Sequence, residues 1–231
     1  NWGEALGAAA KHMTAYQGHG SVATPHGILI TWAVMMNGGI QVNKLGQRFS
    51  NEHRGYSEQA VDVLAQPDQV AWAILDDRLL TLGHEFEEFN LAEAAGAVRH
   101  AKDVEDLSKI IDVPMAALQK TLAETTAHAK GETTDTFGRD FTTQPALSPP
   151  YYAIRVTGAL FHTQGGLNID PQARVLRPDG SALPNLYAGG GAACGLSGSQ
   201  VWGYLSGNGL LTAVNLGRIA GQTATKFIKE G

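Results

Sequence analysis

The sequence is poor in the features that mark several large protein classes. A single cysteine, Cys194, among 231 residues excludes an internal disulfide framework and any cysteine-rich metal cluster. Lys and Arg number 17 against 22 Asp and Glu, a net charge of −5, and the basic residues are scattered. No electrostatic footprint for nucleic acid is present. Charged residues make up 17% and hydrophobic ones 43%, which is globular rather than disordered or coiled-coil composition. The longest apolar stretch, Ile28 to Met36, falls short of the roughly 20 residues that span a bilayer, so no transmembrane segment is expected. No metal site, internal repeat or low-complexity segment is evident. The first residue is Asn1 rather than Met, so the expectation is a processed or truncated product whose targeting segment, if any, lies upstream. The cytoplasm is then only the default compartment. The length suits one large domain or two small ones.

What the chain has in excess is glycine, 28 of 231 residues, about 12% against the usual ~7%. Half of them fall between Gly158 and Gly221. Glycine at that density serves tight turns or backbone lying close to a ligand.

Local patterning predicts mixed secondary structure. Trp2 to Met13 reads as a helix end, His19 to His26 as a turn-rich stretch, and Ile28 to Met36 as a buried apolar segment. Ile40 to Phe49 alternates like a β-hairpin around Asn43-Lys44-Leu45-Gly46. Ser57 is a candidate N-cap for a helix to Leu64, Val70 to Leu75 a strand, and Asp76-Asp77 a cap for the helix that follows. Asp103 begins a helix with Val104, Leu107, Ile110 and Ile111 on one face, and Pro114 starts another with Met115, Leu118 and Leu122. Gly131 to Pro150 reads as a long surface connection. Tyr151 to Val156 and Asn185 to Ala188 are predicted strands, and Asn208 to Phe227 a final helix.

Two glycine clusters invite chemistry. Gly189-Gly190-Gly191-Ala192-Ala193-Cys194-Gly195 follows a short strand, as a loose dinucleotide-binding turn would, or as a plain strand-to-helix turn. Gly203-Tyr204-Leu205-Ser206-Gly207-Asn208-Gly209 opens the last helix, whose first N–H groups and partial positive charge suit a phosphate or a flavin pyrimidine carbonyl. The other reading of that cluster is a Ser206 or Asn208 helix cap.

An ordered series of motifs goes further. Phe161-His162-Thr163-Gln164-Gly165-Gly166-Leu167, Asp170, Arg174-Val175, Asp179-Gly180, Pro184 to Gly189, Gly207-Asn208 and Gly217 to Gly221 resemble the C-terminal part of the FAD-dependent fumarate reductase and succinate dehydrogenase flavoprotein family, which includes 3-ketosteroid dehydrogenases. Val42-Asn43, Gly46, Arg48-Phe49, Asn51-Glu52, Val113-Pro114, Phe137-Gly138-Arg139 and Pro149 to Tyr152 are similar to that family's capping domain. The resemblance implies an α+β fold: a mixed helix and strand capping domain plus the C-terminal part of a Rossmann-like FAD-binding domain whose N-terminal half is absent. The expected division is 1–18 as the tail of a first FAD segment, 19–160 as cap, and 161–231 as the returning FAD segment. A separate N-terminal FAD-binding fragment or chain is the expected partner.

The resemblance also implies residue roles. Gly189, Gly190, Asn208, Gly209 and Leu210 would lie against FAD, with Gly190 standing where the family usually has Glu. His162 and His19 match substrate-binding histidines, and Glu52 matches an acid on the proton-delivery route. Two departures weigh against a dicarboxylate substrate: Tyr204 replaces the family's carboxylate-clamping arginine, and Leu80 occupies the place of its proton-donating arginine, with Arg78 two residues early. Tyr204 resembles instead the tyrosine with which ketosteroid dehydrogenases polarise a carbonyl. The expected activity is hydride transfer between flavin N5 and a small-molecule substrate carbon, at a C–C bond beside a carbonyl or carboxylate. Tyr204, His162 and Glu52 are the catalytic candidates. The alternatives are a non-catalytic cap or interaction subunit, and a fumarate/succinate-type oxidoreductase.

Overall fold

The computed structural model describes residues 2–230. In chain order the helices are α1 (Trp2–Ala5), α2 (Ala33–Met36), α3 (Tyr56–Leu64), α4 (Asp77–Gly83), α5 (Glu87–Ala94), α6 (Val104–Ile111), α7 (Met115–Ala129) and α8 (Asn208–Glu230). The strands are β1 (Ala10–Lys11), β2 (Tyr16–Ala23), β3 (Ile28–Leu29), β4 (Ile40–Val42), β5 (Val70–Asp76), β6 (Val98–Ala101), β7 (Tyr151–Thr163), β8 (Gly166–Leu167), β9 (Arg174–Leu176) and β10 (Ala182–Tyr187). Contacts divide the chain into two units: residues 18–159, and the stretch up to residue 17 together with residue 160 onward.

The 18–159 unit is built on a six-stranded sheet of order β3-β2-β7-β5-β4, with β6 also on β7. All seven residues of β5 are buried. Successive side chains of a strand point to opposite faces, and the core divides accordingly. Ala71, Ala73 and Leu75 join Val34, Met35, Leu79 and Phe89 on one face. Trp72 and Ile74 join Leu107, Ile111, Leu118, Leu122 and Phe141 on the other. With both faces covered, β5 carries an unbroken apolar run rather than an alternating one.

Several expectations hold at the level of single caps. Asp76 accepts the Leu79 amide at the start of α4, and Asp103 accepts that of Asp106 at the start of α6. Others are corrected. Ser57 does not cap α3, which Gly55 precedes; its hydroxyl accepts the Gly18 amide instead. The expected hairpin over 40–49 keeps its turn, where Gly46 adopts φ +72°, but β4 pairs antiparallel with β5 and residues 47–49 form no return strand. Burial of β4 against the central strand outweighs the local alternation. His19 to His26 is largely strand β2, because residues 18–23 are buried in the sheet. The predicted N-terminal helix shrinks to α1, followed by β1.

The second unit is smaller and irregular. β1 pairs with β8, β9 with β10, and Ala8, Val175, Leu183, Ala188 and Ala193 form its core. Its long helix α8 runs three residues beyond the predicted end. Glycine sets how close that helix comes: a Cβ on Gly189 would stand 2.9 Å from the Leu216 Cβ, and Gly190, at φ +55°, would meet Ala213 at 3.2 Å.

Candidate active site

The candidate residues fall into two groups, one in each unit. In the smaller unit, β7 delivers His162 at its C-terminal end and α8 begins at Asn208. A Cβ added to Gly209 would lie 2.7 Å from the His162 Nε2, so the ring is seated directly on the start of the helix. Glycine is required at 209 for that approach. The Tyr204 ring stands edge-on to His162, with ring centroids 6.1 Å apart. His162, Gly190, Asn208 and Gly209 line one tight cavity of about 10 Å³, together with Gln164, Leu196 and Thr212. The structure thus brings together five of the sequence-designated residues: His162, Tyr204, Gly190, Asn208 and Gly209. Gly189 packs on the flank of α8 rather than on its first turn. Leu210 is 77% exposed.

Three local details fix this arrangement. The Asn208 side chain donates from Nδ2 to the Ser197 hydroxyl at 2.7 Å. Gly207 takes φ +81°, a conformation that glycine adopts without a Cβ penalty. The Gln164 amide stands 3.1 Å from the His162 Nδ1.

In the 18–159 unit, His19 is 5% exposed. Its ring stacks on Tyr56 at 5.0 Å and meets Trp32 edge-on at 5.7 Å. Its Nδ1 lies 3.2 Å from the Ser21 amide. Burial disfavours the imidazolium and pushes the His19 pKa down to about 4.

Glu52 is 1% exposed and sits at the centre of an ion network. Arg48 donates to it from Nε (2.9 Å) and Nη2 (2.7 Å), Arg139 from Nη1 (3.1 Å), and Gln41 from its backbone amide (3.1 Å). Arg48 also reaches Asp135 at 2.6 Å. Burial alone would raise the Glu52 carboxyl, but the charge and hydrogen bonds of Arg48, then Arg139, outweigh it and hold its pKa below the ordinary value. Phe141 stacks under both guanidiniums, at 4.7 Å from Arg48 and 4.3 Å from Arg139. A chain of amides connects the carboxylate to the histidine strand: Gln41 donates to the Gly20 carbonyl at 2.8 Å and accepts from Gln59 at 2.9 Å.

Sequence reading missed the roles of Arg48, Asp135, Arg139 and Gln164. The i,i+4 spacing of Arg48 and Glu52 is a usable signal; Asp135 and Arg139 lie in the 131–150 stretch expected as a long surface connection, which is corrected here because Arg139 and Phe141 are buried, Phe141 in the core. Leu80 packs at the edge of the core, while Arg78 donates to the Asn37 carbonyl at 2.6 Å. Among the described residues no group of three His, Cys, Asp or Glu is placed to hold a metal, and no helix is long and apolar enough to cross a membrane.

Comparison with known proteins gives this geometry a context. A family model described as "FAD binding domain" matches residues 2–210. A fumarate reductase (cytochrome) of Shewanella frigidimarina is 31% identical over 228 residues, 98% of this chain and 39% of that protein. The structure of the open conformation of a flavocytochrome c3 fumarate reductase superposes with a TM-score of 0.70 at 30% identity, over 97% of this chain and 39% of that one. A 3-ketosteroid-Δ4-(5α)-dehydrogenase from Rhodococcus jostii RHA1, in complex with 4-androstene-3,17-dione, superposes with a TM-score of 0.66 at 26% identity, over 96% and 44%. The chain therefore spans about two fifths of the length of the relatives it matches.

Proposed function

The chain belongs to the FAD binding domain family, and from that premise we propose that it carries the substrate-facing residues of a flavin-dependent oxidoreductase acting on a C–C bond beside a carbonyl or carboxylate. The cofactor is FAD. When bound, FAD supplies hydride acceptance or donation at N5. The donors at the start of α8 fit such a group: the first-turn amides of a helix, Gly209 and Leu210 here, lack intrahelical partners and carry partial positive charge. Asn208, Gly209, Leu210 and the Gly190 backbone are the residues that would hold it. FAD binding itself draws on the remainder of the flavoprotein, since the relatives are more than twice as long as this chain.

The observation that carries the reading is the pairing of Tyr204 with His162 over Gly209. The two rings are neighbours, and a phenol hydroxyl and an imidazole N–H can each donate to a substrate oxygen. A tyrosine hydroxyl is neutral and suits the oxygen of an enone or enolate, where it stabilises the developing charge without clamping a dianion. His162 donates a second hydrogen bond to the same substrate or to a neighbouring carboxylate. Within the 18–159 unit, His19 is held neutral by burial and is a hydrogen-bonding candidate in its own right. Glu52 takes part in proton delivery by fixing Arg48 and Arg139, since its carboxylate is held ionised.

The test is Tyr204→Phe in the complete flavoprotein. The proposal expects bound FAD to be unchanged and turnover with an α,β-unsaturated ketone to fall about 10²- to 10³-fold, the usual cost of losing one such donor. Unchanged turnover with ketones would remove Tyr204 from the chemistry. Faster turnover with fumarate than with any ketone would favour the dicarboxylate reading, which the Shewanella relative supports.

A further inference from the structure

Gln164 is 2% exposed, and both its backbone polar groups are tied down. Its amide donates to the Ala15 carbonyl at 2.9 Å and its carbonyl accepts the Gly195 amide at 2.8 Å. Its side chain fills the space that the missing Cβ of Gly195 leaves. Its Oε1 lies so close to Gly195 that a Cβ there would stand 2.2 Å away, so residue 195 must be glycine for the carboxamide to fit. The other end of the carboxamide, Nε2, stands 3.1 Å from the His162 Nδ1. A primary amide nitrogen has only hydrogens to offer. It therefore donates to Nδ1, which must carry a lone pair, and the imidazole proton is left on Nε2. That nitrogen is the one seated over Gly209 at the head of α8.

We infer that Gln164 is a positioning residue that locks His162 in the Nε2–H tautomer, presenting a hydrogen-bond donor to the substrate oxygen. The device has the logic of any oriented histidine: the hydrogen bond made by one ring nitrogen dictates what the other can do. Gln164, 2% exposed, is assigned its role through its contact with His162. The inference deepens the proposed function and rests on its assignment of His162 to the substrate side.

The experiment is selective ¹⁵N-histidine labelling with NMR at about pH 9, well above the ordinary imidazole value of about 6.5. The His162 signals are identified by their loss in His162→Ala. The wild type should show an unprotonated Nδ1 and a protonated Nε2. Gln164→Glu puts an acceptor against Nδ1 and should move the proton there. Gln164→Met, which keeps the volume without either hydrogen-bonding group, should give a mixture of tautomers and covers the case in which the buried carboxylate does not fold. A protonated Nδ1 in the wild type, or His162 shifts that none of these substitutions moves, overturns the inference. In the complete flavoprotein, Gln164→Glu should cost about 10- to 100-fold in turnover, the range for removing the partner that orients a functional histidine, with FAD content unchanged. If the tautomer changes as expected while turnover does not, Gln164 still positions His162, and the substrate role of His162 is what fails.

Discussion

Glu52 shows how strongly one side chain depends on its surroundings. Two guanidiniums and a backbone amide keep a fully buried carboxylate ionised, and removing one partner of such a cluster leaves uncompensated buried charge. Glu52→Gln should therefore cost about 3–5 kcal/mol of stability near neutral pH, read from urea denaturation; a cost below about 1 kcal/mol would mean the arginines find other partners. Because its folded pKa is depressed, Glu52 contributes stability that is present above the unfolded carboxylate value and lost as pH falls through the lower folded value. His19 acts in a different window. Its folded pKa is lowered from 6.5 to about 4, so between those values the unfolded chain binds a proton that the fold rejects. Stability should fall on acidification across that range by about 3 kcal/mol. In His19→Gln the slope should flatten there and nowhere else, which denaturation midpoints at a series of pH values would register. An unchanged slope would mean that the ring titrates as though exposed.

At the level of elements, α8 and β7 build the site by bringing His162 onto the first turn of a helix. Gly209→Ala raises intrinsic helix propensity by about 1 kcal/mol, yet its Cβ would lie 2.7 Å from the His162 Nε2. Helix content by circular dichroism should hold while turnover of the complete flavoprotein falls about 10²-fold, as misplacement by an ångström can do. Turnover at the wild-type level would place the chemistry elsewhere. The sequence made α6, α4, β5 and the start of α8 legible because their signals are local: an aspartate cap, an apolar run, glycines before a helix. The role of Ser57 was not legible, since its hydroxyl serves Gly18, 39 residues away. The hairpin failed for the same reason, because β4 finds its partner in β5. Within the candidate site, His162, Tyr204 and the α8 glycines could be named from motif order. The contacts of Arg48 with Asp135 and of Glu52 with Arg139 each join residues 87 apart, and no window along the chain displays such a pair. Gln164 stands inside a recognisable motif and its partner lies two residues away, but the contact also needs the space that Gly195 leaves by lacking a Cβ, and motif order does not display that.

The whole molecule consists of a unit with a two-sided core and a smaller one with little sheet of its own. Residues 18–159 bury apolar side chains on both faces of a six-stranded sheet, which is what an independently folding domain requires. That stretch expressed alone should unfold in a single cooperative urea transition, and a gradual loss of structure would contradict its autonomy. The smaller unit leaves Leu210, Leu211 and Val214 of α8 between 58% and 77% exposed. An apolar helix face of that kind is expected to be covered by the rest of a flavoprotein, in keeping with relatives more than twice as long. The central claim is that this chain directs a flavin toward a C–C bond beside a carbonyl or carboxylate, with a carbonyl preferred. Its most direct test is anaerobic reoxidation of the reduced, complete flavoprotein, followed by flavin absorbance, with an α,β-unsaturated ketone and with fumarate as separate oxidants. The account predicts rapid reoxidation by the ketone, little by fumarate, and loss of the ketone reaction in Tyr204→Phe with flavin still bound. Flavin that stays reduced in the presence of both oxidants would contradict it.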